Sequence, residues 1–353
     1  MIPHDALSEP EIGGALLAYL RGVLQAPELS YAEAPSQITG GYDTLVFGFR
    51  LSGAPEPFAG PLILRVFREA DSGERARYEN AVHDTVVALG YPAPRILLAE
   101  AEDAPLGRAF LVMVRLPGRT MLEMFFRPSR LIFQLAPLLA AQHVLLHRLN
   151  PQPLIEKMEA ERLNTRVSVD LFYDEVQQRI ERAQLHWLAP GMRWLLAERP
   201  ASTEQVICHG DFHPANMLVD KGAVSGVIDW AWVSIAEPAY DVGASVAIFT
   251  HGPVNLPGFL RGPADLIRRR FIRRYVAEYQ KRGPLDLAAV DYYEALRCLG
   301  FLMEVGEQWQ ADAGVIERPA KPSAFTGRDV GLKIASRFQA LTGVALELPS
   351  SRG

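Results

Sequence analysis

Three side chains with hard oxygen atoms, Asp211, Asn216 and Asp229, stand close together in the middle of this 353-residue chain. The first two lie in His209-Gly210-Asp211-Phe212-His213-Pro214-Ala215-Asn216, and the third in Gly226-Val227-Ile228-Asp229-Trp230. An Asp, an Asn five residues later and a second Asp thirteen residues further on fit phosphoryl transfer. That reaction needs one carboxylate beside the attacking hydroxyl, and a separate amide and carboxylate to hold magnesium on the phosphates. Magnesium takes few such ligands from protein and fills its octahedron with phosphates and water.

The intervening residues say how Asn216 and Asp229 meet. Residues 217–219 leave as an apolar strand, Asp220-Lys221-Gly222 turns, and residues 224–228 return. A hairpin of that kind brings Asp229 back beside Asn216. His209, Asp211 and His213 also read as H-x-D-x-H, a spacing that metal ligands use, so a metallohydrolase is a rival reading. It needs further dense ligand clusters, and the other histidines (His4, His83, His143, His147, His186 and His251) stand isolated in the sequence.

Around this centre the chain must supply a scaffold. Ser8-Glu9-Pro10-Glu11 forms a capping-box pattern, and Ile12, Leu16, Leu20 and Val23 follow at helical spacing, which predicts a helix over 9–25. Residues 44–51 and 62–67 are rich in β-branched and aromatic side chains, with a Pro/Gly-rich turn at 52–61 between them, so a hairpin is expected. A charged helix over 73–89 and a strand over 109–116 come next, and Pro117-Gly118 ends the strand. Beyond it the pattern turns helical. Ser129 is placed to cap a helix carrying Leu131, Leu135, Leu138 and Leu139, and further helices are expected at 168–188, 190–198, 264–282 and 287–311. A strand-rich first third followed by a helix-rich remainder is an α+β pattern with two lobes, 1–116 and 117–353.

Bulk properties narrow the function class. Apolar residues make up 49% and charged residues 22%, ordinary for a globular protein with a real core. The net charge of −5 argues against a nucleic-acid surface, and the basic run at 268–274 reads as a solvated helix face. Two distant cysteines, Cys208 and Cys298, imply no disulfide framework. Nothing at the N-terminus has the form of a signal peptide, and nowhere do eighteen uncharged apolar residues run together. A cytoplasmic protein without a membrane partner is the expectation; the oligomeric state stays open.

On His209-Gly210-Asp211-x-His213-Pro214-x-Asn216, Ile228-Asp229-Trp230 and Pro238-x-x-Asp241, the chain resembles the aminoglycoside phosphotransferase-type family. These are small-molecule kinases of the protein-kinase-like fold. The resemblance extends more weakly from about Gly40 to Gly243. It implies a small β-rich N-terminal lobe that binds nucleotide and a larger, mainly helical C-terminal lobe. It also implies an ATP- and Mg²⁺-dependent transfer to a small-molecule hydroxyl, with GTP open as an alternative. Asp211 would orient the hydroxyl and take its proton, and Asn216 and Asp229 would hold the metal. His209 would brace the loop. His213 stands where protein kinases keep a lysine, with a phosphate contact or a structural role both open. Asp241 resembles the buried aspartate that accepts hydrogen bonds from catalytic-loop amides.

The nucleotide side follows from the same resemblance. Gly40 and Gly41 would form a shortened phosphate-covering loop. Arg65 occupies the position of the protein-kinase lysine. Glu79 would be its ion-pair partner, although Glu74 is also near in sequence. Met113 and Val114 lie in the segment that resembles the hinge, Leu218 would floor the base, and Ile228 would line the pocket.

The acceptor side is less determined. Glu304 and Glu307 share a helix face and would suit a cationic aminoglycoside. Trp187, Trp194, Trp230, Trp232 and Trp309 suit a less charged, aromatic pocket equally well. Arginine in place of lysine at position 65 supports a second reading, a catalytically silent nucleotide-binding module.

Overall fold

The computed structural model describes residues 8–38, 44–68, 72–101, 105–125, 133–252, 258–318, 325 and 327–349. Gly40 and Gly41, as well as Ser129 and Leu131, lie outside them. In chain order the elements are α1 (Glu9–Val23), β1 (Ser30–Gln37), β2 (Thr44–Ser52), β3 (Pro61–Phe67), α2 (Gly73–Ala88), β4 (Ile96–Glu100) and β5 (Phe110–Val114). There follow β6 (Arg119–Thr120), α3 (Met121–Met124), α4 (Leu135–His147), α5 (Gln152–Ala160), α6 (Val169–Arg182) and α7 (Ala189–Ala197). The segment from His209 to Asp229 falls among β7 (Val206–Cys208), β8 (Met217–Asp220), β9 (Ala223–Val227) and β10 (Ser234–Ala236). Four helices close the order: α8 (Pro238–His251), α9 (Gly258–Gln280), α10 (Leu287–Asp312) and α11 (Arg328–Thr342). No helix among the described residues is long and apolar enough to cross a membrane.

The chain divides into two compact units. One is Met1–Gly118 with Leu218–Ile228; the other is Arg119–Met217 with Asp229–Gly353. The hairpin expected with the helical half thus clusters with the strand-rich half.

In the first unit β1 to β5 form an antiparallel sheet of order β1-β2-β3-β5-β4. Strand periodicity sorts its side chains. Leu62, Leu64 and Val66 of β3, with Phe110 and Val112 of β5, share a cluster with Ile12, Leu16 and Leu20 of α1. Phe67, Leu111 and Met113 share another with Ala76 of α2. Arg65, one residue out of step with Leu64, is thereby turned to the α2 side. Gly226 of β9 packs on Leu116, and Val227 N–H donates to the Pro92 carbonyl, which ties the hairpin to this unit.

The second unit is built around α10. Asp286 caps it by accepting from the amides of Ala288 and Ala289, and the helix packs against α8 and α11. α4 packs against α9. The described part of α4 begins at Leu135, with Gln134 at its N-cap offering no side-chain hydrogen bond. The sequence pattern missed β1, β4, β6, α3, α5, β10, α8 and α11. β1 (Ser-Tyr-Ala-Glu-Ala-Pro-Ser-Gln) is almost wholly exposed and has no strand composition; it exists by pairing with β2, across two register shifts.

Candidate active site

Strand pairing sets the loop that carries Asp211. β7 is fully buried and pairs antiparallel with β10, Cys208 opposite Ser234. The chain leaves β7 into the loop and leaves β10 into α8, so Asp241, in the first turn of α8, arrives beneath His209. Asp241 is fully buried. Its Oδ2 accepts from the His209 amide at 2.5 Å and its Oδ1 from the Gly210 amide at 2.9 Å. His147 Nε2 lies 3.3 Å from Oδ2, and His143 Nε2 approaches the same oxygen at 2.9 Å, off the line of a good hydrogen bond.

His143 and His147, isolated in sequence, therefore converge in the structure. They stand four apart on α4 and face Tyr275 and Tyr279, four apart on α9. His143 Nδ1 lies 2.5 Å from the Tyr275 hydroxyl, and His147 Nδ1 lies 2.6 Å from that of Tyr279. With each Nε2 turned to a carboxylate, each Nδ1 accepts from its tyrosine. The three groups could in principle ligate a metal. Asp241 already accepts from two loop amides and lies beside both histidines, so the three groups brace the loop. Burial pushes the Asp241 carboxyl up, but the two histidines outweigh it and hold it well below the usual range.

Burial, with His147 alongside, holds His143 down to about 4, against the pull of Asp241. An unfolded chain takes up this proton near pH 6.5. Between those values the unfolded state binds more protons, so stability is complete above pH 6.5 and is lost as the pH falls toward 4. The effect is on the order of 3 kcal/mol. Urea midpoints at pH 7.5 and 4.5 should differ clearly in the wild type and less in His143→Gln.

Above this brace sits Asp211, 21% exposed. Its Oδ2 accepts from Asn216 Nδ2 at 2.9 Å and lies 3.3 Å from His213 Nε2. Asn216 Nδ2 also donates to the Asp211 carbonyl at 3.0 Å. Two acceptors fix the amide's orientation and turn its Oδ1 away from Asp211. His213 Nδ1 accepts from the Ala215 amide at 3.2 Å, so the proton of this ring points toward Asp211. Burial pushes the Asp211 carboxyl up; His213 and Arg297 outweigh it and hold it low. Burial pushes His213 down, and Asp211 reverses that and raises it.

Asp229 adopts φ +66°, a left-handed conformation uncommon for a side chain with a Cβ. Such an outlier points to a functional constraint. An amide oxygen and a carboxylate, at the two ends of one hairpin, are the donor types that suit magnesium. His209 is fully buried, and its Nδ1 accepts from the Asp211 amide at 3.3 Å. His209, Asp211 and His213 are not among the ligand groups that converge in the described residues.

Gly210 has a steric reason absent from the sequence. Its φ is +76°, and a Cβ there would meet the Trp232 carbonyl oxygen at 2.1 Å. The obstacle is backbone and cannot rotate away. Gly210→Ala should displace the loop, lowering turnover at least about tenfold with about 1–3 kcal/mol of destabilisation; initial rates and a urea titration check both.

On the nucleotide side, Arg65 Nη1 is 2.8 Å from Glu79 Oε2, with Glu79 fully buried. Arg75 Nε reaches the other oxygen at 3.2 Å. The Val114 and Arg115 amides donate to the carbonyls of Arg95 and Pro61. Within the run expected as the hinge, Leu116 is thus the first residue beyond those two bonded amides. Leu218 and Ile228 belong to this same unit.

On the acceptor side, Glu307 is held by Arg179 at 2.9 and 2.6 Å. Glu304 lies close enough to Arg179 to add to its pull on the guanidinium. The sequence pattern missed Arg297 of α10, whose Nη2 lies 3.9 Å from Asp211 Oδ1. It missed His143 and His147 as well, although their spacing of four on an apolar helix was a usable signal.

Comparison with known proteins places this geometry. The profile of the phosphotransferase enzyme family matches residues 36–290. An aminoglycoside 3'-phosphotransferase of Streptomyces fradiae is 30% identical over 255 residues, 67% of this chain and 85% of that protein. A candidate aminoglycoside phosphotransferase from Ralstonia eutropha superposes with TM-score 0.63 at 16% identity, covering 94% of this chain and 97% of its own. A thermostable aminoglycoside phosphotransferase APH(4)-Ia, solved with ADP and hygromycin B, gives 0.54 at 17% identity, covering 93% and 98%. The α+β, kinase-like fold expected from the sequence is the fold these structures share. The chain belongs to the phosphotransferase enzyme family and is a phosphotransferase with an alcohol group as acceptor.

Proposed function

We propose that this chain transfers the γ-phosphoryl group of ATP, with Mg²⁺, to the hydroxyl of a small molecule. The observation that carries the reading is the Asp211–Asn216 hydrogen bond at one end of a hairpin whose other end is the left-handed Asp229. Asn216 Oδ1 and Asp229 would hold the magnesium, which supplies charge neutralisation on the phosphates when bound. Asp211 orients the acceptor hydroxyl and takes its proton as the new P–O bond forms and the bond to the ADP oxygen breaks. Asp241, through the amides of His209 and Gly210, fixes where Asp211 stands.

Arg65, aligned by buried Glu79, is the cation for the nucleotide phosphates, and Leu116 is the donor best placed to read the base edge. Gly40 and Gly41 remain the proposed phosphate cover, with Leu218 and Ile228 lining the base. A silent module would be expected to lose one of Asp211, Asn216 and Asp229, and all three are present.

ADP release should be screened with ATP and GTP over aminoglycosides, macrolides, amino alcohols, sugars and hydroxy acids. At least one alcohol should stimulate it in a magnesium-dependent way. Arg65→Ala should then raise KM for ATP about tenfold or more. Nucleotide binding without transfer to any alcohol would count against the reading.

A further inference from the structure

The two oxygens of Asp211 face different chemistry. Oδ2 carries Asn216 and His213, the side of the proposed metal ligand. Oδ1 faces Arg297, which reaches in from α10. The guanidinium lies 5.8 Å from the ring centre of Phe172 and 5.2 Å from that of Phe301. It is 19% exposed, and its Nε is buried with no hydrogen-bond partner among the described residues. Phe172, Gly210, Tyr240, Tyr293 and Leu296 line a water-sized crevice beside it. One ion pair at 3.9 Å leaves most of its five donors unspent.

Three of the five carboxylates along α10 are paired with other arginines. Glu294 pairs with Arg337 at 2.7 and 2.6 Å, and Glu307 pairs with Arg179. Asp312 lies 3.2 Å from Arg318. What this helix turns toward Asp211 is therefore a fixed cation between aromatic rings. A polycationic acceptor would meet like charge next to the atom that must take its proton. An acceptor with a carboxylate near its hydroxyl would satisfy the free donors in the planar geometry that guanidinium favours.

We infer that Arg297 is a specificity-determining residue that binds an anionic group of the acceptor, and that the acceptors are hydroxy acids. This rests on the phosphotransfer reading above. The acceptor carboxylate lies on Arg297 and its hydroxyl on Asp211, with the aromatic pair excluding water around them.

The test compares 3-hydroxybutyrate and glycerate with methyl 3-hydroxybutyrate, ethanolamine and kanamycin. It measures ADP release and, by calorimetry, binding to the full chain loaded with ADP and Mg²⁺. The acids should react or bind at least tenfold better than the ester, a comparison that needs no variant. Arg297→Gln should raise the KM or Kd of the acids at least tenfold while leaving the Kd of the ester unchanged, and Arg297→Lys should recover part of the loss. If the acids neither react nor bind, or if ester and acid are equal, the inference is wrong; turnover of kanamycin or ethanolamine would then leave phosphotransfer standing. If the acids bind through Arg297 and no alcohol is phosphorylated, recognition survives and the phosphotransfer reading falls.

Discussion

Asp211→Asn should lower kcat by about 10²- to 10⁴-fold, the range for loss of a positioned general base. The carboxamide keeps the size of the carboxylate, and its oxygen can still accept from Asn216 Nδ2, so the loop should hold its shape. What disappears is the negative charge that draws the hydroxyl proton and the pairing with His213 and Arg297. Affinity for ATP should change by no more than a few-fold, since Arg65 and Glu79 are untouched. Single-turnover kinetics together with nucleotide titration separate the two quantities. A variant that still turns over at near wild-type rate would take Asp211 out of the mechanism.

Asp241→Ala should be the most damaging substitution away from the reacting atoms. It strips the acceptor from the His209 and Gly210 amides and from His147, all in a region closed to water. Breaking a buried charged network by removing one partner costs about 3–5 kcal/mol. Asp241→Asn should fare little better, because its single oxygen cannot serve both amides and its NH₂ would face other donors. Urea midpoints should drop in both variants. Turnover should fall in whatever folded protein remains, because Asp211 follows directly after the two amides that Asp241 holds. Wild-type stability in either variant would mean that the loop is held by something other than this carboxylate.

Much of the site was legible before any coordinates. Asp211, Asn216 and Asp229 stood out because the roles proposed for them need particular oxygen atoms at particular intervals, and a short hairpin can only return its end to its start. Arg65 and Glu79 were readable through the family resemblance, with Glu74 left as an alternative; the structure places Arg65 and Glu79 2.8 Å apart. Glu307 illustrates the opposite case. A carboxylate on a helix face is available or committed depending on what packs against it, and Arg179 of α6 commits it. Met113 and Val114 illustrate it too: apolar strand residues mark where β5 runs, but which amide lies beyond the sheet depends on hydrogen bonds to Arg95 and Pro61.

The sequence by itself determined the reaction class and the strand-rich and helix-rich division, and it singled out the residues proposed for the chemistry. Each of these rests on local covalent spacing, which a chain carries however it folds. Only the tertiary structure decided that His143 and His147 stand under Asp241, that Gly210 yields space to the Trp232 carbonyl, and that Arg297 reaches Asp211. Those contacts join residues separated by 22 to 98 positions or close off space between two backbones. Their energies come from burial and from donors that find acceptors only when separate helices pack, so no interval in the sequence records them.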